Sequence, residues 1–158
     1  MITAAHCLEP PALGRVKYVR LGVIHRDEQS DHRQDFDVKE IFKHPNYNRS
    51  FNEDIGLLKL DGKVIINERT IPICLPQKNI LPEKAIATGF GRTGYRNSAS
   101  DSLLKVTLEK FTQDVCQTTF GNKVKITNDT MLCYGHHTEA KDACNVSLNS
   151  KDRMRKVS

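Results

Sequence analysis

Two residues define the chemistry on offer. His6 stands in TAAHC, and Asp54 heads the apolar run DIGLLKL. A carboxylate at the head of such a strand must find a partner or bear a desolvation cost of several kcal/mol. An imidazole N–H is a suitable partner, and the carboxylate in return would fix the ring's tautomer and orient it as a general base. Their separation of 48 positions leaves room for a strand or two to fold back. Spacing alone is better met by two unrelated residues, a capping aspartate and a core histidine. A further acid, Asp142, sits in KDAC, which looks like the approach to a nucleophile. The residues that follow, Asn145-Val146-Ser147-Leu148-Asn149-Ser150, include two serines and no glycine.

Other chemistries fit less well. The cysteines at 7, 74, 116, 133 and 144 contain no C-x-x-C, so a zinc site is a poor explanation. His136 and His137 are adjacent and would point to opposite faces of a strand; an exposed loop pair is expected, and no metal or cofactor is. The formal net charge is +5, with four basic residues and one acid in KDRMRKVS. No aromatic residues interleave with these charges, so the run is expected to be a solvated tail rather than a nucleic-acid or heparin site. No apolar stretch approaches a membrane span. MITAAHCLEPP lacks the basic and apolar regions of a signal peptide. Five cysteines suggest an oxidising compartment, and an odd number leaves at least one without an internal partner.

The elements that would position these residues are mostly strands. VKYVRLGVI (16–24), DFDVKEI (35–41), KAIATGFG (84–91), LLKVTLEKF (103–111) and MLCYG (131–135) are rich in β-branched and aromatic residues or alternate in polarity. In the second, Phe36 and Val38 alternate with Asp35, Asp37 and Lys39. In the fourth, Leu104, Val106 and Leu108 face away from Lys105, Thr107 and Glu109. DIGLLKL (54–60) is apolar enough to be buried on both faces. Turn-rich stretches such as HPNYNRSFNE and GRTGYRNSAS separate the strands. Only TQDVCQTTF (112–120) reads as a helix, with Thr112 at its N-cap. The pattern predicts an all-β barrel or sandwich in one domain.

Taken in order, TAAHC, HPNY, DIGLLKL, ICLP, ATGFGRTG, MLCYG and KDAC resemble the trypsin/chymotrypsin-like serine proteases, peptidase family S1, and most nearly their arthropod clip-domain branch. The resemblance runs from residue 2 to residue 144. It implies a trypsin-like double β-barrel, incomplete here, over residues 1–144, followed by a divergent basic tail at 145–158. It makes His6 the general base, Asp54 its orienting carboxylate and Asp142 the acid of a pocket for substrate Arg or Lys. It also implies a Cys116–Cys133 disulfide, a bond from Cys74 to a clip domain or upstream chain, protein or peptide substrates, and secretion.

The same resemblance exposes a gap. After KDAC the family carries a segment of the form QGDSGGP, whose serine attacks and whose backbone N–H groups cradle the oxyanion. In that register Val146 replaces the oxyanion-hole glycine, Ser147 a buried aspartate, and Leu148 the nucleophile. Valine resists the turn that glycine permits, so neither Ser147 nor Ser150 is expected to substitute. Losing the nucleophile alone lowers turnover on the order of a millionfold in a serine protease with the same catalytic constellation. Against the family pattern the chain lacks the Ile-Val-Gly-Gly-like opening strands and the later pocket walls, and so reads as truncated at both ends. Cys7 and Cys144 then lack partners, and the abrupt change at Asn145 reads as read-through into unrelated coding. Sequons occur at Asn48, Asn128 and Asn145; the first two lie in expected loops and are candidate glycosylation sites if the chain is secreted, and the third falls in the divergent tail. Two functions result: an inactive serine-protease-like chain, or a non-catalytic homologue that binds within an extracellular protease cascade.

Overall fold

The computed structural model describes residues 1–9, 16–49, 52–75, 82–93, 97–120 and 131–136, together with the backbone of 154–157. The chain divides into two compact units, Met1–Cys74 and Leu75–Val157. Each holds a four-stranded sheet whose neighbouring strands are all antiparallel. This is the all-β architecture expected, with a helix where one was predicted.

In the first unit, β1 (Ile2–Thr3), β2 (Tyr18–Leu21), β3 (Gln34–Lys43) and β4 (Gly56–Leu60) lie in the order β1-β4-β3-β2. Alternation along β3 places Phe36 and Val38 inward and Asp35 and Asp37 outward. A bulge between Val38 and Glu40 then shifts the pairing with β4, as an extra residue on one strand does. Beyond it Ile41 is half-buried and Phe42 exposed. The core is Leu8, Val19 and Leu58, with Val16, Leu21, Val38, Ile41 and Leu60 packed against it.

DIGLLKL is buried on one face only, against the expectation of two. Gly56 and Leu58 point inward, while Ile55 is 46% and Leu57 48% exposed. Leu57 is the register partner of both Ile2 and Phe42, so the outward face of β4 carries an apolar row across three strands. An apolar run does not distinguish this arrangement from a strand buried on both faces, because the two differ only in what covers the second face.

Gly22, at the end of β2, opens the loop that leads to β3. It has φ +76°, and a Cβ there would run into the His32 carbonyl, so this turn requires glycine. Charge holds the loop. Glu28 accepts from the Ile24 N–H (2.9 Å), the His25 N–H (3.3 Å) and Arg69 Nη1 (2.6 Å). The Ile24 amide contributes most to lowering its carboxyl from the ordinary 4.5 to about 2, with Arg69 and the His25 amide assisting. Asp35 sits opposite Arg20 in the β2–β3 register and is held well below the usual carboxylate range by hydrogen bonds first from Arg33 and then from Arg20.

In the second unit, β5 (Lys84–Gly89), β6 (Leu104–Lys110), β7 (Leu132–Gly135) and β8 (Met154–Val157) run in chain order. The helix α1 spans Gln113–Phe120, and the Thr112 carbonyl accepts from the Cys116 N–H. Leu108, Met131, Cys116, Cys133 and Tyr134 are buried. Cys116 and Cys133 form a disulfide across 17 residues, a loop closure worth about 3 kcal/mol. The Tyr134 hydroxyl donates to the Pro82 carbonyl at 2.6 Å.

The basic run at 151–158 is not wholly a solvated tail, because the backbone of β8 pairs with β7 from Leu132↔Val157 to Gly135↔Met154. Strand pairing engages the backbone, so a charged run can add to an open sheet edge.

Because the carboxyl of Glu28 is depressed, its stabilising contribution is complete above its ordinary value and is lost as pH falls towards about 2. Melting of the first unit should therefore weaken over pH 4.5 to 2, and Glu28→Gln should flatten that acid limb while lowering stability at neutral pH. Circular dichroism melts across this range check it.

Candidate active site

His6 and Cys7 lie on a single 3-10 turn, Ala5–Leu8, that follows β1. In a 3-10 turn residues i and i+3 eclipse. Here Ala5 and Leu8 are the inward pair, at 0% and 7% exposure, and His6 and Cys7 face out. Leu8 belongs to the core of the first unit, so the histidine's turn is anchored in that core. Gly56 makes the fit possible: a Cβ there would overlap the Leu8 side chain and press on the Phe42 carbonyl. Asp54 stands two residues before Gly56, at the end of the loop from β3 to β4.

The structure brings His6 and Asp54 together. The His6 backbone N–H donates to Asp54 Oδ1 at 2.8 Å, and His6 Nδ1 lies 2.7 Å from Oδ2. A carboxylate can only accept, so Nδ1 carries the proton in this contact. The acid side chain is 13% exposed and the imidazole 62%. One carboxylate thus fixes both the turn and the ring, and leaves Nε2 facing outward as the acceptor in the neutral imidazole.

Nε2 has a neighbour, the Cys7 sulfur at 3.4 Å. Partial burial, and then the Asp54 carboxylate, push the Cys7 thiol above its ordinary value. Near neutral pH it is therefore a thiol that donates to Nε2, not a thiolate ready to attack. The adjacency of the two residues in TAAHC was legible, but their contact was not.

The loop before Asp54 is shaped by unusual backbone. Arg49 and Glu53 have φ of 66° and 55°, in the left-handed region that non-glycine residues seldom adopt. The His44 N–H donates to the Ile55 carbonyl at 3.0 Å, and His44 Nε2 approaches Glu53 Oε2 at 3.7 Å. Burial, then the charges of Asp54 and Glu9, raise the Tyr47 phenol, which stays neutral beside them. Lys43 and Arg49 both reach Glu9, the residue after the histidine's turn.

Asp142, Cys144, Val146, Ser147, Leu148, Ser150 and Asn128 lie outside the described residues, as do His137 and Asn145. Cys7 and Cys74 are the free cysteines among the described residues, and both are exposed. Among the described residues no group of three or more His, Cys, Asp or Glu could hold a metal ion, and no helix is long and apolar enough to cross a membrane.

An imidazole whose Nδ1–H is held by a carboxylate presents Nε2 as a proton acceptor. The comparisons agree on the family. The Trypsin family model matches residues 1–146. A venom protease of Bombus pensylvanicus is 30% identical over 151 residues, and serine protease snk of Drosophila melanogaster 32% over 156. Bovine coagulation factor XI is 31% identical over 148 residues. Each match covers 91% of this chain but only 60%, 34% and 23% of the respective relative. A solved chain described as "Structure of GrC" superposes with TM-score 0.75 at 25% identity, covering 86% of this chain and 59% of that one. The chain belongs to the trypsin family of serine proteases.

The two free thiols should differ in reactivity. Iodoacetamide at neutral pH should label Cys74 faster than Cys7, and Asp54→Asn should speed labelling at Cys7 by removing the charge that disfavours its thiolate. Mass spectrometry of the alkylated peptides reads both.

Proposed function

We propose that this chain keeps the proton-handling half of a serine-type endopeptidase and lacks the attacking half. His6 serves as the base and Asp54 as its orienting acid. Asp142 stands where trypsin-like members hold the carboxylate that attracts a substrate Arg or Lys. The observation that carries this reading is the two-point hold of His6 by Asp54, set beside Leu148 in the nucleophile's register. A leucine offers no oxygen to attack a carbonyl, and Val146 stands where the oxyanion cradle needs glycine. The family match reaches residue 146 and stops short of that position.

In a competent site, Nε2 would take the proton of the attacking hydroxyl, and Asp54 would stabilise the resulting imidazolium. With neither hydroxyl nor cradle, a substrate carbonyl meets no nucleophile and its developing charge no donors. The protein is then a catalytically silent member of its family, acting outside the cell as the relatives named venom protease and coagulation factor do by those names.

A second reading is favoured by one observation. Cys74 is free and exposed, and its neighbours Ile71, Ile73 and Leu75 are exposed as well, Ile73 at 88%. A thiol flanked by uncovered apolar side chains suits a disulfide to a clip domain or another upstream chain, with the protein serving as a binding partner in a protease cascade.

A fluorogenic arginine-amide assay on purified protein tests the main reading. No turnover above that of His6→Ala is expected, and neither Ser147 nor Ser150 should be labelled by an organophosphonate. Turnover abolished by His6→Ala would overturn it.

A further inference from the structure

We infer that Glu9 is a positioning residue for His6, and that it acts by clamping the histidine's turn to two points of the segment that delivers Asp54. The proposal rests on the reading of His6 and Asp54 as a proton-handling pair.

Glu9 follows the turn Ala5–Leu8 directly, and its N–H donates to the His6 carbonyl at 3.3 Å. Its carboxylate is divided between two cations on a different part of the chain. Oε1 accepts from Lys43 Nζ at 2.8 Å, and Oε2 from Arg49 Nε at 2.6 Å. Lys43 ends β3 and is the register partner of Gly56 on β4. Arg49 sits in the loop that runs from β3 to Asp54, on left-handed backbone. The two contacts therefore join the histidine's turn to the start and to the middle of the β3–β4 connection.

The Glu9 side chain is 17% exposed, whereas that of Arg49 is 78% exposed. A carboxylate withdrawn from water and facing two cations gains charge-assisted hydrogen bonds on both oxygens. The bonds from Lys43 and Arg49 accordingly hold its carboxyl below the ordinary value. The left-handed backbone at Arg49 has a cost, and the bond to Glu9 is what the structure offers against it. Apolar contact supports the same joint, because Leu8 packs over Gly56 one position before the carboxylate. The turn is thus fastened by Leu8 beneath, Glu9 at its end and Asp54 at its histidine. Only the last of these touches the imidazole. Nothing in TAAHC signals the clamp, since its three members lie 34 and 40 residues apart.

Glu9→Gln keeps the shape and removes the charge, and Arg49→Ala removes one cation while leaving Glu9 paired with Lys43. Hydrogen exchange of the His6 amide, which donates to Asp54, and the low-field NMR signal of the His6 Nδ1 proton report the hold directly. Turnover plays no part in either readout, so they separate this proposal from the question of activity. Glu9→Gln should speed His6 amide exchange on the order of tenfold, as expected when a charge-assisted bond becomes a neutral one. It should also broaden the Nδ1 signal, while Val19 and Leu58 keep their protection; Arg49→Ala should do the same to a smaller degree. Unchanged His6 exchange in both variants overturns the proposal, as does a uniform rise at His6, Val19 and Leu58, which would mark a general loss of stability. Asp54→Asn is the control. Faster exchange there but not in Glu9→Gln leaves the pair standing without the clamp. No change in Asp54→Asn removes the pair and the proposal together.

Discussion

Asp54 is the constraint on which the first unit is organised. Its two oxygens take the backbone N–H of His6 and the ring proton at Nδ1, so the main chain and the side chain of one residue are fixed by a single carboxylate. A mostly covered acid needs such partners, because burial without them costs several kcal/mol. The requirement works in both directions. The acid is tolerable at the head of an apolar strand because the histidine is there, and the histidine is oriented because the acid cannot leave. The core then follows from this joint. Leu8 enters it from the histidine's own turn, and Gly56 is bare because Leu8 needs the space.

Covered carboxylates recur around this joint. Asp54 is 13% exposed and Glu9 17%, and each faces a donor set from a different stretch of chain. Farther out, Arg20, Arg33 and Asp35 form a cluster between β2 and β3, and Glu28 ties a loop to Arg69. The Asp35 carboxylate is the more open of these, at 36% exposure, whereas Glu28 at 16% is as covered as Glu9 and ties down its own loop. The inner ones restrict backbone near the imidazole, and a one-ångström looseness there would matter to any proton transfer. The neutral Cys7 thiol beside Nε2 fits the same picture, with a base that has kept its acceptor and a neighbour too poorly ionised to use it.

Much of this could be read from residues alone, where local pattern and local chemistry agree. Alternation placed Phe36 and Val38 inward, Thr112 marked the start of α1, and the cysteines at 116 and 133 are joined. Asp54 heading an apolar strand announced its need for a donor. Other features rest on what a residue meets in space. The run from Ile55 to Leu60 looked buried on both faces, yet Leu57 stands exposed between Ile2 and Phe42, because covering a second face is a tertiary event. Charge made the run at 151–158 look solvated, but strand pairing engages backbone, and Met154–Val157 lies along β7. Glu9, Lys43 and Arg49 are ordinary surface residues until the β3–β4 connection brings them to one point.

The account turns on which nitrogen of His6 holds the proton. Nitrogen-15 chemical shifts of the imidazole in selectively labelled protein, recorded with the ring neutral, measure this directly. The account predicts a protonated Nδ1 and a bare Nε2, with the Nδ1 signal changed by Asp54→Asn. A proton on Nε2, or shifts that ignore Asp54→Asn, would contradict it.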